Sequence, residues 1–279
     1  SINNGNFRFT AKNKCEINYG LGAVKGLGEG PVDAIVKERE RAGVFSDLYE
    51  FCERVSVLKV NRRALEALIG SGALDELVLF SQDIDRSRAL LFANLEDALK
   101  LAEQKARNIN SGLRDLFGED MMLVSEKNGP YRHSDSAQSL SLKNRLTKEK
   151  ETLGFYLSAH PLDIYGQEID FLAQSSISNL RGGTEDQTIV GLVVGFRVVK
   201  SRRGENLAFL TLDDKSGRIE VSVYAELYEK NYDLLQKDAV VIVSGNPIVD
   251  EFSDNLKMRA IKVQSIEQAR VRLVKKLKL

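Results

Sequence analysis

Gly26, Gly28 and Gly30 stand within five residues of one another in the run GLGAVKGLGEGPVDAIV, Gly20 to Val36, directly ahead of a helical pattern. No other segment so narrows what the chain can fold into. Glycine reaches positive φ at little steric cost, so Gly26-Leu27-Gly28 can turn sharply and aim successive N–H groups into a concavity the size of an anion. Pro31 fits the first turn of the following helix, whose exposed N–H groups add to the same positive end. Leu27 is the apolar plug that seats the turn between two helices, with Val24 before it and Ala34 and Ile35 after it.

The spacing resembles the helix-hairpin-helix motif of non-sequence-specific DNA-binding proteins, whose hairpin amides hold a duplex phosphate and so position DNA without reading bases. A glycine-rich loop that only caps a helix is the alternative reading. The run lacks the GK[ST] ending of a P-loop, and no strongly apolar strand precedes it. Farther on, NRRALEALIGSGALDEL places Leu65, Leu68 and Ile69 on one helical face and stops at Gly70 and Gly72, with caps expected at Ser46 and Asn61. This unit reads as a degenerate partner of the first hairpin. Candidate duplex contacts are Lys25, Gly26, Leu27, Gly28 and Gly30, with Arg62 and Arg63 at the second helix start.

The 279 residues carry 40 basic and 40 acidic side chains, a formal net charge of zero. An autonomous high-affinity nucleic-acid binder usually shows a basic excess, so any DNA contact must be focused in a few backbone amides and nearby cations. No apolar run approaches the roughly 20 residues that cross a bilayer. Cys15 and Cys52 make neither a disulfide framework nor a metal site, and a cytoplasmic location is expected. The chain begins with Ser1 rather than Met and shows no signal-peptide pattern, so it reads as an internal piece of something longer.

Ser1 to Tyr19 reads as a short hairpin in which Phe7, Phe9 and Ile17 alternate with polar residues and Lys12-Asn13-Lys14 turns. A helix is expected from Ser87 to Ile109, then a polar, irregular connector from about Glu119 to Asn144. At its leading edge GLRDLFG, Gly112 to Gly118, sets Leu116 beside Phe117 in a polar neighbourhood, which suits docking into a partner's pocket or packing on the preceding helix.

From Thr188 to Ile266 the order is strand, strand, strand, helix, strand, strand, which matches an OB-fold barrel. Such barrels often bind single strands across strands 2 and 3 with aromatic stacking and cations. Candidates are Lys200, Arg202 and Arg203 in the first loop, Phe209 on the second strand and Tyr224 at the end of the third. Phe209 as core, and a barrel used for protein docking, are the competing readings. Asp213-Asp214 lies in a strand-to-strand turn, where aspartates support turn geometry.

Together YGLGAVKGLGEGP, NRRALEALIGSGALD, KEKETLGFYLSAHPL from Lys148 to Leu162 and LDDKSGRIEV resemble one family in the family's order. It is the bacterial DNA polymerase III alpha subunit, a replicative C-family polymerase, in the region after the catalytic palm and fingers. The expected fold class is multidomain α+β: a helical tandem helix-hairpin-helix domain followed by a mixed linker and an all-β OB-fold barrel. Expected boundaries are 1–19 as the tail of the fingers region, 20–77 for the hairpin domain, 78–186 for a connector with an internal clamp motif, 187–268 for the OB-fold and 269–279 for a C-terminal extension.

The resemblance implies primer-template DNA, single-stranded DNA, a sliding clamp and other replicase subunits as partners, with no membrane. It assigns Leu113, Asp115, Leu116 and Phe117 to the clamp motif, with Leu113 standing where the family usually has Gln, and it makes His160 structural. The parent is expected to be a DNA-directed DNA polymerase, a nucleotidyltransferase using Mg2+ held by palm carboxylates that lie upstream. No catalytic residue and no cofactor are expected within these residues. A non-catalytic DNA-binding accessory protein built of the same modules is the alternative, and a tRNA-binding OB protein a third reading.

Overall fold

The computed structural model describes residues 1–55, 60–78, 83–111, 131, 137–183, 185–201, 204–250 and 255–277. The chain divides into two compact units, Ser1–Ser158 and Ala159–Leu279.

The first unit is helical, apart from the two-residue strands β1 (Thr10–Ala11) and β2 (Ile17–Asn18), which pair antiparallel. The expected turn forms around Asn13, whose Oδ1 accepts from the N–H groups of Cys15 and Glu16 at 2.8 and 2.9 Å. The alternation expected there is only partly realised: Phe7 packs on the core, whereas Phe9 and Ile17 are exposed. Residues 1–19 pack on the helical core of this unit. Ile2 is fully buried in the helical core, and its N–H donates to the Ala73 carbonyl at 3.0 Å.

The main helices are α1 (Glu29–Ala42), α2 (Leu48–Val55), α3 (Arg62–Gly70), α4 (Ile84–Ser111) and α5 (Leu142–Leu153). Asn61 caps α3 as expected, accepting from Ala64 N–H at 2.9 Å. The cap of α2 falls one residue later than Ser46: Asp47 Oδ1 accepts from Glu50 N–H at 2.9 Å, while Glu50 reaches back to Ser46 N–H at 2.8 Å. The second carboxylate makes this a reciprocal capping arrangement. Val32, Ile35, Leu48, Phe51, Leu65, Leu68, Leu91 and Leu95 meet in one core.

The span 78–186 is not a single connector. Its α5 belongs to the first unit, because Arg88 of α4 is buried between two carboxylates, Asp75 Oδ2 and Glu149 Oε1, both at 2.9 Å. Gly72, at φ +79°, makes room for that guanidinium: a Cβ there would stand 2.4 Å from Arg88 Nη2. Residues 159–186 belong instead to the second unit.

The second unit is a closed barrel of β3 (Gln187–Lys200), β4 (Asn206–Asp213), β5 (Arg218–Val223), β6 (Val240–Val249) and β7 (Leu256–Gln264), in the order β3-β4-β5-β7-β6. All pairings are antiparallel except β5 with β7. The long β3 pairs through its first half with β6 and through its second with β4, and a register shift between Val193 and Gly195 bends it between the two. Alternation along β4 and β5 sends Ala208, Leu210, Leu212, Ile219, Val221 and Val223 inward, closing the core with Val243 and Met258.

On the outer side of β3 and β6, Val190 and Ile242 are covered by Leu162 and by Ile266 and Ala269 of the terminal helix. Helix α6 (Glu168–Leu172), then α7 (Ala225–Asn231) and α8 (Ile266–Leu277), complete the unit. Among the described residues no helix is long and apolar enough to cross a membrane.

Candidate nucleic-acid interface

The glycine run forms the hairpin it predicts. A short 3-10 turn, Leu21–Ala23, leads into Val24-Lys25-Gly26-Leu27, and Gly28 is the N-cap of α1. Only Gly26 takes the left-handed backbone, at φ +90°; Gly28, at φ −80° and ψ 172°, is extended. Leu27 is 6% exposed and its N–H donates to the Val24 carbonyl at 3.1 Å, so the plug is seated. Around it Lys25, Gly26, Gly28, Glu29 and Gly30 are exposed. Among the described residues the N–H groups of Gly26, Gly28, Glu29 and Gly30 find no acceptor in the chain. Unsatisfied N–H groups at and just before a helix start are the kind of donor that anions bind.

The hairpin is held from a second side that its sequence did not disclose. Lys25 N–H donates to the Thr152 carbonyl of α5 at 2.7 Å. The Lys25 side chain crosses Gly154, where a Cβ would lie 3.5 Å from Nζ.

At the second helix start, Arg62 and Arg63 are both exposed. Arg62 donates to Glu66 Oε1 at 2.9 Å, an ion pair on the helix surface. Residues 56–59 ahead of it lie outside the described residues, as does the clamp motif with Leu113, Asp115, Leu116 and Phe117.

On the barrel, Lys200 is exposed at the end of β3, and Arg202 and Arg203 lie outside the described residues. Phe209 points outward, with the Arg197 guanidinium carbon 4.3 Å above its ring centroid. Tyr224 is 48% exposed and carries Arg259 in the same way at 4.6 Å. Register explains the grouping: Arg197 pairs with Phe209, Phe209 with Ser222, and Ser222 with Arg259, so the four cross neighbouring strands in one row. Arg197 and Arg259 were missed in the sequence, where nothing local sets either apart from the other cations of its strand.

The adjoining row holds Thr211, Glu220 and Lys257. Glu220 accepts from Arg197 at 3.0 Å and from Lys257 at 3.3 Å. Burial raises this carboxyl, but the two cations outweigh it and hold it below the ordinary carboxylate value. It is therefore charged at neutral pH.

Asp213 and Asp214 shape the turn between β4 and β5. Asp214 Oδ1 accepts from the N–H groups of Ser216 and Gly217 at 2.9 and 3.1 Å, and its Oδ2 from Ile177 N–H at 2.7 Å. His160 Nδ1 accepts from Leu162 N–H at 3.2 Å, while Asp163 accepts from His160 N–H at 2.8 Å, which closes a capping box. His160 Nε2 stands 3.5 Å from Asp213 Oδ1. Among the described residues no group of three or more His, Cys, Asp or Glu could hold a metal ion.

Hairpin and barrel together define a chain of two nucleic-acid-binding modules. A helix-hairpin-helix motif model matches residues 1–89, and an OB-fold nucleic acid binding domain model matches residues 187–268. Along its whole length the chain corresponds to the helix-hairpin-helix and OB-fold region of DNA polymerase III subunit alpha. The DNA polymerase III subunit alpha of Pseudomonas fluorescens is 44% identical over 286 residues, covering 100% of this chain and 24% of that protein. That of Escherichia coli (strain K12) is 39% identical over 272 residues, covering 96% and 23%. The chain thus spans about a quarter of the length of the curated relatives it matches. Among solved structures, the second OB-fold domain of replication protein A from Methanococcus maripaludis is 23% identical, covering 33% of this chain and 94% of that one, with a TM-score of 0.28.

Proposed function

We propose that this chain is the DNA-gripping part of a bacterial replicative polymerase alpha subunit. The exposed N–H groups of Gly26, Gly28, Glu29 and Gly30, seated by buried Leu27, are the observation that carries the reading. They hold a phosphate of the primer-template duplex, with Lys25 beside them and Arg62 and Arg63 on the second helix start. The row Arg197, Phe209, Ser222 and Arg259 takes the single-stranded template: bases stack on Phe209 and Tyr224, and phosphates meet the arginines and the Lys200, Arg202 and Arg203 loop.

Leu116 and Phe117, with Leu113 and Asp115, dock in the apolar pocket of a sliding clamp. Nucleotide addition belongs to the rest of such a protein, where clustered carboxylates hold Mg2+. Tethering weak sites raises their effective concentrations for one another, which suits a near-neutral chain whose grip must also release.

Fluorescence anisotropy of labelled primer-template duplex at low and moderate salt tests the duplex grip. Binding that weakens with salt, and that is lost in a folded Gly26→Val plus Gly28→Val variant, supports it. Binding that is absent, or that the two substitutions leave unchanged, overturns it. Capture of a purified sliding clamp by the chain, and its loss on Leu116→Ala plus Phe117→Ala, tests the docking peptide separately.

A further inference from the structure

The barrel face carries a carboxylate where a single-strand site should want none. Glu220 sits in the row next to the two arginine-aromatic stacks, and its two oxygens accept from cations on opposite sides, Arg197 Nη2 at 3.0 Å and Lys257 Nζ at 3.3 Å. Its place in the ladder is central: Thr211 is its paired neighbour on β4 and Lys257 its paired neighbour on β7. A carboxylate with two oxygens bridging two cations mimics what a phosphodiester offers them.

Two consequences oppose each other. The ion pairs hold Arg197 and Lys257 in place before any ligand arrives, and Arg197 is further fixed by its stack on Phe209. The same carboxylate occupies their charge and repels an incoming phosphate. Asp250 pairs with Lys257 as well, and Asp213 with Arg218, so Arg197, Lys257 and Arg218 each already have a carboxylate partner within the barrel. This is the local form of the chain's zero net charge.

We propose that Glu220 is an internal counter-anion of the barrel face, which a phosphate of single-stranded DNA must displace from Arg197 and Lys257 in order to bind. The inference rests on the reading of this face as the single-strand site. Glu220 thereby sets a weak affinity and rapid exchange on a surface whose aromatic stacks would otherwise hold the strand.

The test uses the whole 279-residue chain and a fluorescent oligo-dT, compared among the unsubstituted chain, Glu220→Gln and Phe209→Ala. Glu220→Gln is expected to bind about tenfold more tightly, because one like charge facing a phosphate is removed. Its salt dependence should also steepen, since each further phosphate contact on a single strand adds about 0.7 to the slope. Phe209→Ala should weaken binding in the same assay. Should Glu220→Gln fold poorly, Glu220→Thr gives a neutral side chain suited to a strand and carries the same expectation. Binding that depends on Phe209 but is unchanged or weakened by both Glu220 substitutions overturns the counter-anion alone. An absence of oligo-dT binding in every variant overturns the single-strand reading, and the inference with it.

Discussion

Arg88 Nη1 donates to Glu149 Oε1 at 2.9 Å, and both side chains are almost wholly buried, at 3% and 0% exposed. The pair joins two segments 61 residues apart, one on α4 and one in KEKETLGFYLSAHPL. Glu149 Oε2 turns the other way and accepts from the N–H groups of Leu157 and Ser158 at 2.8 and 2.9 Å. That carboxylate anchors the end of α5, whose Thr152 carbonyl in turn holds the hairpin at Lys25.

Glu149→Ala should therefore cost about 3–5 kcal/mol, the usual penalty for leaving one partner of a buried ion pair uncompensated. Urea unfolding of the purified chain measures it. A loss below about 1 kcal/mol would show that the pair contributes little.

The same residue makes stability depend on acid. Burial raises the Glu149 carboxyl, but Ser158 N–H, Arg88 and Leu157 N–H outweigh it, and the group lies below its ordinary value of 4.5. A carboxylate depressed on folding adds stability that is present above its unfolded pKa and lost as pH falls through the folded one. Asp75 acts in the opposite sense, because its burial outweighs Arg88 and raises it. Glu149→Gln should flatten the acid limb of stability against pH, measured by unfolding between about pH 3 and 7.

The glycines of the hairpin should not be equivalent. Gly26 alone has positive φ, and a Cβ there would find open space, 4.0 Å from Ala67 Cβ, so its constraint is backbone strain. Gly26→Ala should cost about 1–3 kcal/mol. Gly28→Ala, in extended backbone with Pro31 Cδ 3.9 Å away, should stay within about 0.5 kcal/mol. Thermal melting of the two variants decides it.

Asp214→Ala should loosen the strap that ends at Ile177, because Ile177 N–H loses its acceptor together with two turn amides. The expected cost is about 1–3 kcal/mol, with faster hydrogen exchange at Ile177, Ser216 and Gly217.

The two thiols should differ sharply. Cys15 is exposed, whereas Cys52 is buried in the helical core and burial pushes its thiol up to about 12. Maleimide at neutral pH should label Cys15 in the folded chain and reach Cys52 only on unfolding, as peptide mass mapping would show.

Local chemistry was legible in the residues themselves. Positive φ at Gly26, the plug Leu27 and the cap Asn61 depend on residues a few positions apart, and the strand order alone indicated the barrel. The α2 cap slipped from Ser46 to Asp47 because neighbouring Ser and Asp both satisfy a cap pattern, and packing chooses between them. The 78–186 span divided because Arg88 ties its first part to Asp75 and Glu149 in the helical unit, contacts 13 and 61 residues apart that no local pattern announces, while 159–186 joins the barrel. Arg197 and Arg259 joined the candidate site only once strand register set them beside Phe209 and Tyr224. A sequence specifies which faces a strand has, but the neighbours on each face are fixed by closure of the barrel, and with them the place of Glu220 between its two cations.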